Sequence, residues 1–355
     1  MKEKIRQMGV FSVVIILTGL VSFPGEAISQ NRSLEGQTVV LYTYGGTYLE
    51  PVREVVIEPF ERETGAKVVV DDSCCQRLQA AMEAGQFIGD VILGRDQGAY
   101  LALGHEGWLV HDERLEKIAR DHGSPEQFQS PSMLILHSYS YLMAAKSASI
   151  PQPKTWADFF NVKSFPGTRG LVRDTPMVTL EAALLADGVA PDELYPLDAD
   201  RAFRKLNELK SSTKIIMNAS GADQINNLGT GEIDYGITYS NRAFIARNDG
   251  IPISFGYNDA FIVGNGGAIL KGARNVDGAV AFLEYHMRPE VLVRMAERNG
   301  MGPVYEAAAE LVDPGLRELM PTSAENVKVQ HPIDGLYWQE NREALHKRWV
   351  EWMAQ

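Results

Sequence analysis

The run Tyr42-Thr43-Tyr44-Gly45-Gly46-Thr47-Tyr48 places the end of a strand, two glycines and the start of a helix in succession. In an open parallel sheet, ligands bind beyond the carboxyl ends of the strands. Glycines there let backbone N–H groups approach a ligand closely. The helix start adds partial positive charge, which suits an anionic group. A plain tight turn has the same composition, and the residues alone leave both readings open. Catalysis finds less support. The seven histidines are scattered, and there is no HExxH, GxSxG, P-loop or dinucleotide fingerprint. His105 and His111 have no neighbour that completes a metal site. No enzyme activity, cofactor or metal is expected.

The only two cysteines, Cys74 and Cys75, are adjacent, a spacing that matches no zinc or redox motif. Neighbours in sequence close only a strained eight-membered ring, so two free, partly buried thiols are the expected state. A vicinal disulfide is the alternative that an oxidising compartment allows. Both cysteines sit just ahead of a helix expected over 76–84, where a thiol would have a lowered pKa.

These residues must be held by a sizeable chain. Residues 1–29 read as an export signal. Lys2, Lys4 and Arg6 form a positive n-region, an apolar stretch runs from Met8 to Phe23, and Ala27 and Ser29 stand at cleavage-site spacing. The apolar run is shorter than the ~20 residues that span a bilayer. Cleavage is therefore expected, with no lipid anchor, since no cysteine follows. Removing that segment, with its three bases and two acids, leaves 326 residues and moves the formal net charge from −12 to −13. That length suits two domains. The acidic balance, without any Lys/Arg run, excludes a nucleic-acid surface.

Strands are expected at 39–44, 66–70 and 90–93, with helices at 48–63 and 76–84 between them. Pro59 should bend or restart the first helix. This βαβαβ order requires a parallel sheet with right-handed crossovers. After Ser138 the pattern changes. A strand over 139–145 leads to Pro151-Gln152-Pro153, which marks a chain leaving one lobe for another. Helices follow around 156–160, 179–186 and 199–209, with strands at 214–217 and 234–238. Ile251 to Phe255 read as a second crossing segment. Asn275 caps a helix through Met287, and Pro289 opens one that Gly300 closes. The tail 333–353 is helical, with Leu336, Leu345, Trp349 and Trp352 available to pack. A chain that crosses twice between two α/β lobes makes a hinged clamshell.

The Gly-Gly-x-Tyr turn and the run Pro59-Phe60-Glu61-Arg62-Glu63-Thr64-Gly65-Ala66-Lys67-Val68 resemble the spermidine/putrescine-type periplasmic solute-binding proteins of ABC importers. The resemblance continues through Gly89-Asp90-Val91-Ile92, Lys154-Thr155-Trp156-Ala157-Asp158 and the run from Gly231 to Asn241. It ends at Gly267-Ala268-Ile269 and Asn299-Gly300-Met301-Gly302-Pro303. It thus spans nearly the whole exported chain in order.

The resemblance implies a two-lobed α/β periplasmic binding protein, type II-like, each lobe a mainly parallel sheet flanked by helices. The lobes fall at 30–140 plus 256–302 and at 141–255 plus 303–355. It implies a periplasmic monomer that hands a small solute to an inner-membrane ABC permease. A ligand sensor or an enzyme on the same fold is the rival reading.

Polyamine specificity carries over poorly. The family's polyamine binders have an aromatic ring where Gly46 stands and acids near Thr175, Val178 and Asn265. Tyr239 does match an aromatic platform of the family. The resemblance also puts Arg95, Arg173 and Arg242 in loops at the cleft, with Asp96 and Asp174 beside two of them. Cys74 and Cys75 fall at the cleft wall. An arginine holds a carboxylate with two parallel hydrogen bonds. A carboxylate-bearing or zwitterionic solute, such as an amino-acid derivative or opine-like compound, is therefore expected, with Arg242 beside Tyr239 favoured as the anchor. A polyamine binder with a rearranged acidic set is the alternative.

Overall fold

Three short strands rich in Val, Ile and Leu open the first lobe, and their burial explains their composition. In the computed structural model, which describes residues 34–74, 78–86 and 88–355, β1 (Thr38–Tyr42) runs parallel to β2 (Lys67–Asp71) and to β3 (Val91–Asp96). The export signal expected at 1–29 lies outside the described residues. Val91, Ile92 and Leu93 are fully buried, as a strand covered on both faces requires. The remaining strands are β4 (Leu134–Ala145), β5 (Arg169–Val172), β6 (Ile215–Asn218), β7 (Tyr235–Tyr239), β8 (Ser254–Phe255), β9 (Phe261–Ile269), β10 (Gly302–Pro303) and β11 (His331–Pro332). The principal order is β2-β1-β3-β9-β4-β7-β5-β6, so one sheet serves both lobes. β7, β5 and β6 are parallel to one another, as β1 to β3 are, and the antiparallel pairings of β9 and β4 join the two sets.

Two hydrophobic cores flank these joining strands. One gathers Leu41, Phe60, Ile92, Leu134, Ala268 and Phe282. The other gathers Tyr141, Trp156, Leu180, Ile237, Phe261 and Trp349. β4 and β9 each contribute to both, so they are the strands that cross between lobes. Ile251 to Phe255, read from sequence as the return crossing, instead supplies only β8, which pairs with Ala144 and Ala145. The strand that pairs with both β3 and β4 is β9, which the sequence reading did not assign and which contains Gly264, Gly266 and Gly267. Those glycines serve close packing. A Cβ on Gly266 would lie 2.0 Å from the Leu134 carbonyl oxygen.

The helical segment Gly46–Thr64 is continuous, with a wider π turn at Arg53–Ile57. That turn ends two residues before Pro59, whose ring and missing N–H disfavour a regular turn there. Gly65 closes the segment with a left-handed φ of 76°. Thr155 and Asp158 form a reciprocal capping box on the helix Trp156–Phe160. The last helix, Gly335–Met353, is capped by Asp334 and buries Trp338, Leu345, Trp349 and Trp352 in the second core. Leu336, expected to pack, is 58% exposed.

Candidate functional site

The site is built at the carboxyl end of β3. Its pairing with β9 slips between Leu93 and Arg95, where Gly94 adopts φ +96°. No side chain fits at Gly94, since a Cβ would sit 2.7 Å from the Tyr48 ring. The slip sets Arg95 and Asp96 beyond the ladder. Asn265 supports it from β9. It is buried, and its amide donates to the Gly94 carbonyl at 2.9 Å. The Tyr100 hydroxyl accepts from the Arg95 N–H at 3.2 Å and donates to the Gly266 carbonyl at 2.6 Å. Asp96 caps the helix Gln97–His105, accepting from the Ala99 N–H at 2.8 Å.

Opposite Asp96 lies a floor of three tyrosines. Tyr139 and Tyr141 alternate along β4 and so share a face. Tyr239 ends β7. Its ring centroid lies 4.9 Å from that of Tyr141 and 5.9 Å from that of Tyr139. Burial raises all three phenol pKa values, and the Asp96 charge raises them further. The rings are therefore neutral, with a carboxylate nearby. Asp174 and Arg242 also act on the Tyr239 phenol, in opposite directions. Tyr44 stands at the other end, edge-on to Tyr48 at 6.1 Å. It keeps 37% of its surface exposed, yet the protein around its phenol still raises its pKa. Arg95 and Arg342 pull the other way, and Asp96 adds to the rise.

Arg95 and Asp96 thus act on Tyr44, and Asp96, Asp174 and Arg242 on Tyr239. The secondary structure corrects two loop assignments and keeps that of Arg173. Arg95 lies within β3, and Arg242 is in the first turn of the helix Ser240–Asn248. Arg173 directly follows β5, with its N–H on the Asn218 carbonyl and its own carbonyl accepting from the Trp349 indole at 2.8 Å. Its side chain is exposed, as is that of Asp174. Thr175 caps locally, accepting from the Met177 N–H at 3.2 Å. Gly221 leaves room for Tyr239 and Arg242, whose ring and Nε a Cβ would meet at 3.3 and 3.4 Å. Gly45 lies against Asp72, and Gly46 takes φ +61° at the exposed start of its helix, which Thr47 continues. Tyr139, Tyr141 and Arg342 were not singled out from sequence. The Tyr-x-Tyr alternation inside an expected strand was the available signal for the first two.

The free-thiol expectation is corrected at Cys74, which is disulfide-bonded, and no free cysteine remains among the described residues. Cys75 lies outside them. A thiol assay on denatured, unreduced protein should therefore read zero, and two after reduction. A reading of two before reduction would restore free thiols. Among the described residues, no cluster of His, Cys, Asp or Glu could hold a metal, and no helix is long and apolar enough to cross a membrane.

A family model described as bacterial extracellular solute-binding protein matches residues 56–322. The chain belongs to that family. It is 29% identical over 346 residues to a γ-aminobutyric acid-binding protein of Pseudomonas aeruginosa, covering 94% of this chain and 96% of the relative. It is 26% identical over 301 residues to the spermidine/putrescine-binding periplasmic protein of Escherichia coli, covering 77% and 80%. An ABC transporter substrate-binding protein from Bradyrhizobium japonicum superposes with a TM-score of 0.81 at 31% identity, covering 89% and 99%. The solute-binding family, the two-lobed fold and the transport role expected from sequence are thereby confirmed. A solute-binding protein of an ABC importer captures a small organic solute and delivers it to a membrane permease.

Proposed function

We propose that this solute-binding protein captures a short zwitterion bearing one ammonium and one carboxylate group, of the γ-aminobutyric acid type, for import. The observation that carries the reading is the tyrosine floor flanked by charges of both signs. A cation over aromatic faces near a carboxylate is well held. The ammonium is placed against Tyr139, Tyr141 and Tyr239, with Asp96 and Asp174 as counter-charges. The carboxylate is placed at Arg95, beside Tyr44. Sequence favoured Arg242, but its charge acts on a ring that Asp174 and Asp96 also address. Arg95 instead has a buried Nε without a hydrogen-bond partner, which a ligand oxygen would satisfy. The protein works by binding, not catalysis. It acts as an exported monomer, cleaved after an export signal at 1–29, and hands its ligand to a permease in the closed form. The lobes are divided at β4 and β9, which act as the hinge.

A polycation needs several carboxylates to replace its water, and Gly46, Thr175, Val178 and Asn265 supply none. Calorimetry should show 4-aminobutanoate binding at least ~100-fold tighter than putrescine or spermidine, a difference of about 2.7 kcal/mol. A polyamine bound as tightly as 4-aminobutanoate would overturn the zwitterion reading in favour of a rearranged acidic set.

A further inference from the structure

We propose that Arg342, on the carboxyl-terminal helix, closes over the same ligand carboxylate that Arg95 anchors, so that the solute is gripped by one arginine from each lobe. The proposal rests on the zwitterion reading above and adds a residue and a closing step to it.

The helix Gly335–Met353 belongs to the second lobe. The indoles of Trp338, Trp349 and Trp352 donate to Glu181 at 2.6 Å, to the Arg173 carbonyl at 2.8 Å and to Asn207 at 2.8 Å. Its first residue nevertheless touches the first lobe. A Cβ on Gly335 would lie 3.2 Å from the Gly98 Cα and 3.1 Å from Leu101. Two helix starts therefore meet backbone to backbone across the lobes, Gly98 following the cap residue Asp96. Seven residues on from Gly335 is two turns, so Arg342 lies on the same face, about 10 Å further along the axis. Trp349, two turns further, lies on the same stripe and packs in the second core, so Arg342 stands between the contact with the first lobe and that core. The position agrees with the electrostatic influence of Arg342 on the Tyr44 phenol, which Arg95 shares. Arg342 is exposed, and no ion pair among the described residues engages it or Arg95.

The charges explain why closure should need the ligand. Arg95 and Arg342 both act on the Tyr44 phenol, against Asp96. Two guanidinium groups approaching one another without an anion between them repel. A carboxylate between them reverses the sign of that interaction. The ligand then favours the closed arrangement because it interacts differently with the two states.

The test uses the full exported protein, with 4-aminobutanoate as probe, in calorimetry and small-angle scattering. Arg342→Ala should weaken binding tenfold or more and reduce the ligand-induced fall in radius. Arg348→Ala, on the same helix but paired with Asp200, should bind as the wild type does. Arg342→Lys should recover part of the loss. Combining Arg342→Ala with Arg95→Ala should cost less than the two losses together, because both arginines serve one carboxylate. Thermal unfolding should match the wild type, since Arg342 supports no core. If Arg342→Ala binds and compacts like the wild type while Arg95→Ala is weakened, the Arg342 inference falls and the zwitterion reading stands. Strictly additive losses would also overturn it, by showing that the two residues act separately. If wild-type protein binds neither 4-aminobutanoate nor any other carboxylate-bearing amine, both fall together.

Discussion

Arg95→Ala is expected to weaken 4-aminobutanoate binding by about 30-fold or more. Truncating one side of a buried charged pair costs roughly 2–5 kcal/mol, and each 1.4 kcal/mol is about tenfold in affinity. The loss should appear in binding alone. The buried Nε of Arg95 has no hydrogen-bond partner in the protein, so its removal strands no other group there. Arg242→Ala should cost less, because its charge is balanced at Tyr239 by Asp174 and Asp96. Arg173→Ala should bind nearly as the wild type does, since the packed part of that residue is its backbone, between Asn218 and Trp349. Titration of the three variants at matched salt separates the possibilities. A large loss in Arg242→Ala with none in Arg95→Ala would move the anchor to the Tyr239 end, as the sequence alone favours. Wild-type affinity in all three would exclude each of them as the carboxylate anchor and favour a neutral or cationic solute.

Arg95 also shows what was legible before the structure. Its identity, its Asp96 neighbour and its place near a cleft followed from the residues and the family resemblance. Its exposure to ligand depends on the slipped pairing at Gly94, and nothing local in sequence distinguishes that glycine from a turn. The parallel strands β1 to β3 were legible because Val-rich runs between glycines have few other uses. The helices at Trp156 and Val276 have caps written in side chains, and the one at Pro289 was legible from the proline that opens it and Gly300 that closes it. β9 was not. Its glycines look like loop composition, and only the approach of the Leu134 carbonyl shows why they are there. Arg342 was invisible for a different reason. It lies in an ordinary amphipathic tail, and its meaning comes from a contact between Gly98 and Gly335, 237 residues apart in the sequence. Long-range juxtaposition leaves no periodic trace.

The second large effect concerns acid. His137, on β4, and His286, at the end of the helix Val276–His286, are fully buried with their Nε2 atoms 3.1 Å apart. Burial holds His137 near a pKa of about 3 and His286 well below its usual value, with the His137 charge a further cause. Glu181, buried against Tyr195 and Trp338, shifts the other way. Burial pushes it up to about 8, against the two hydrogen bonds it accepts. The histidine contribution is complete above pH 6.5 and is lost as the pH falls, because only the unfolded chain then takes up those two protons. The Glu181 contribution is complete below pH 4.5 and is lost as the pH rises through about 8. At pH 6.5 the unfolded histidines are only half protonated, and as the pH falls toward 5 their proton uptake outweighs the single proton that Glu181 holds in the fold. Wild-type stability should therefore fall on acidification toward pH 5. In Glu181→Gln the opposing proton is gone, and the fall should be steeper. Urea unfolding at three pH values in that window measures both. A wild-type profile that rises on acidification would mean that the histidines titrate as they do in the unfolded chain, leaving the Glu181 proton alone to set the slope. Equal slopes in the two proteins would mean that Glu181 stays ionised in the fold, in which case the Trp338 clamp on the last helix is held by a charge, and the approach of Arg342 must be reckoned against it.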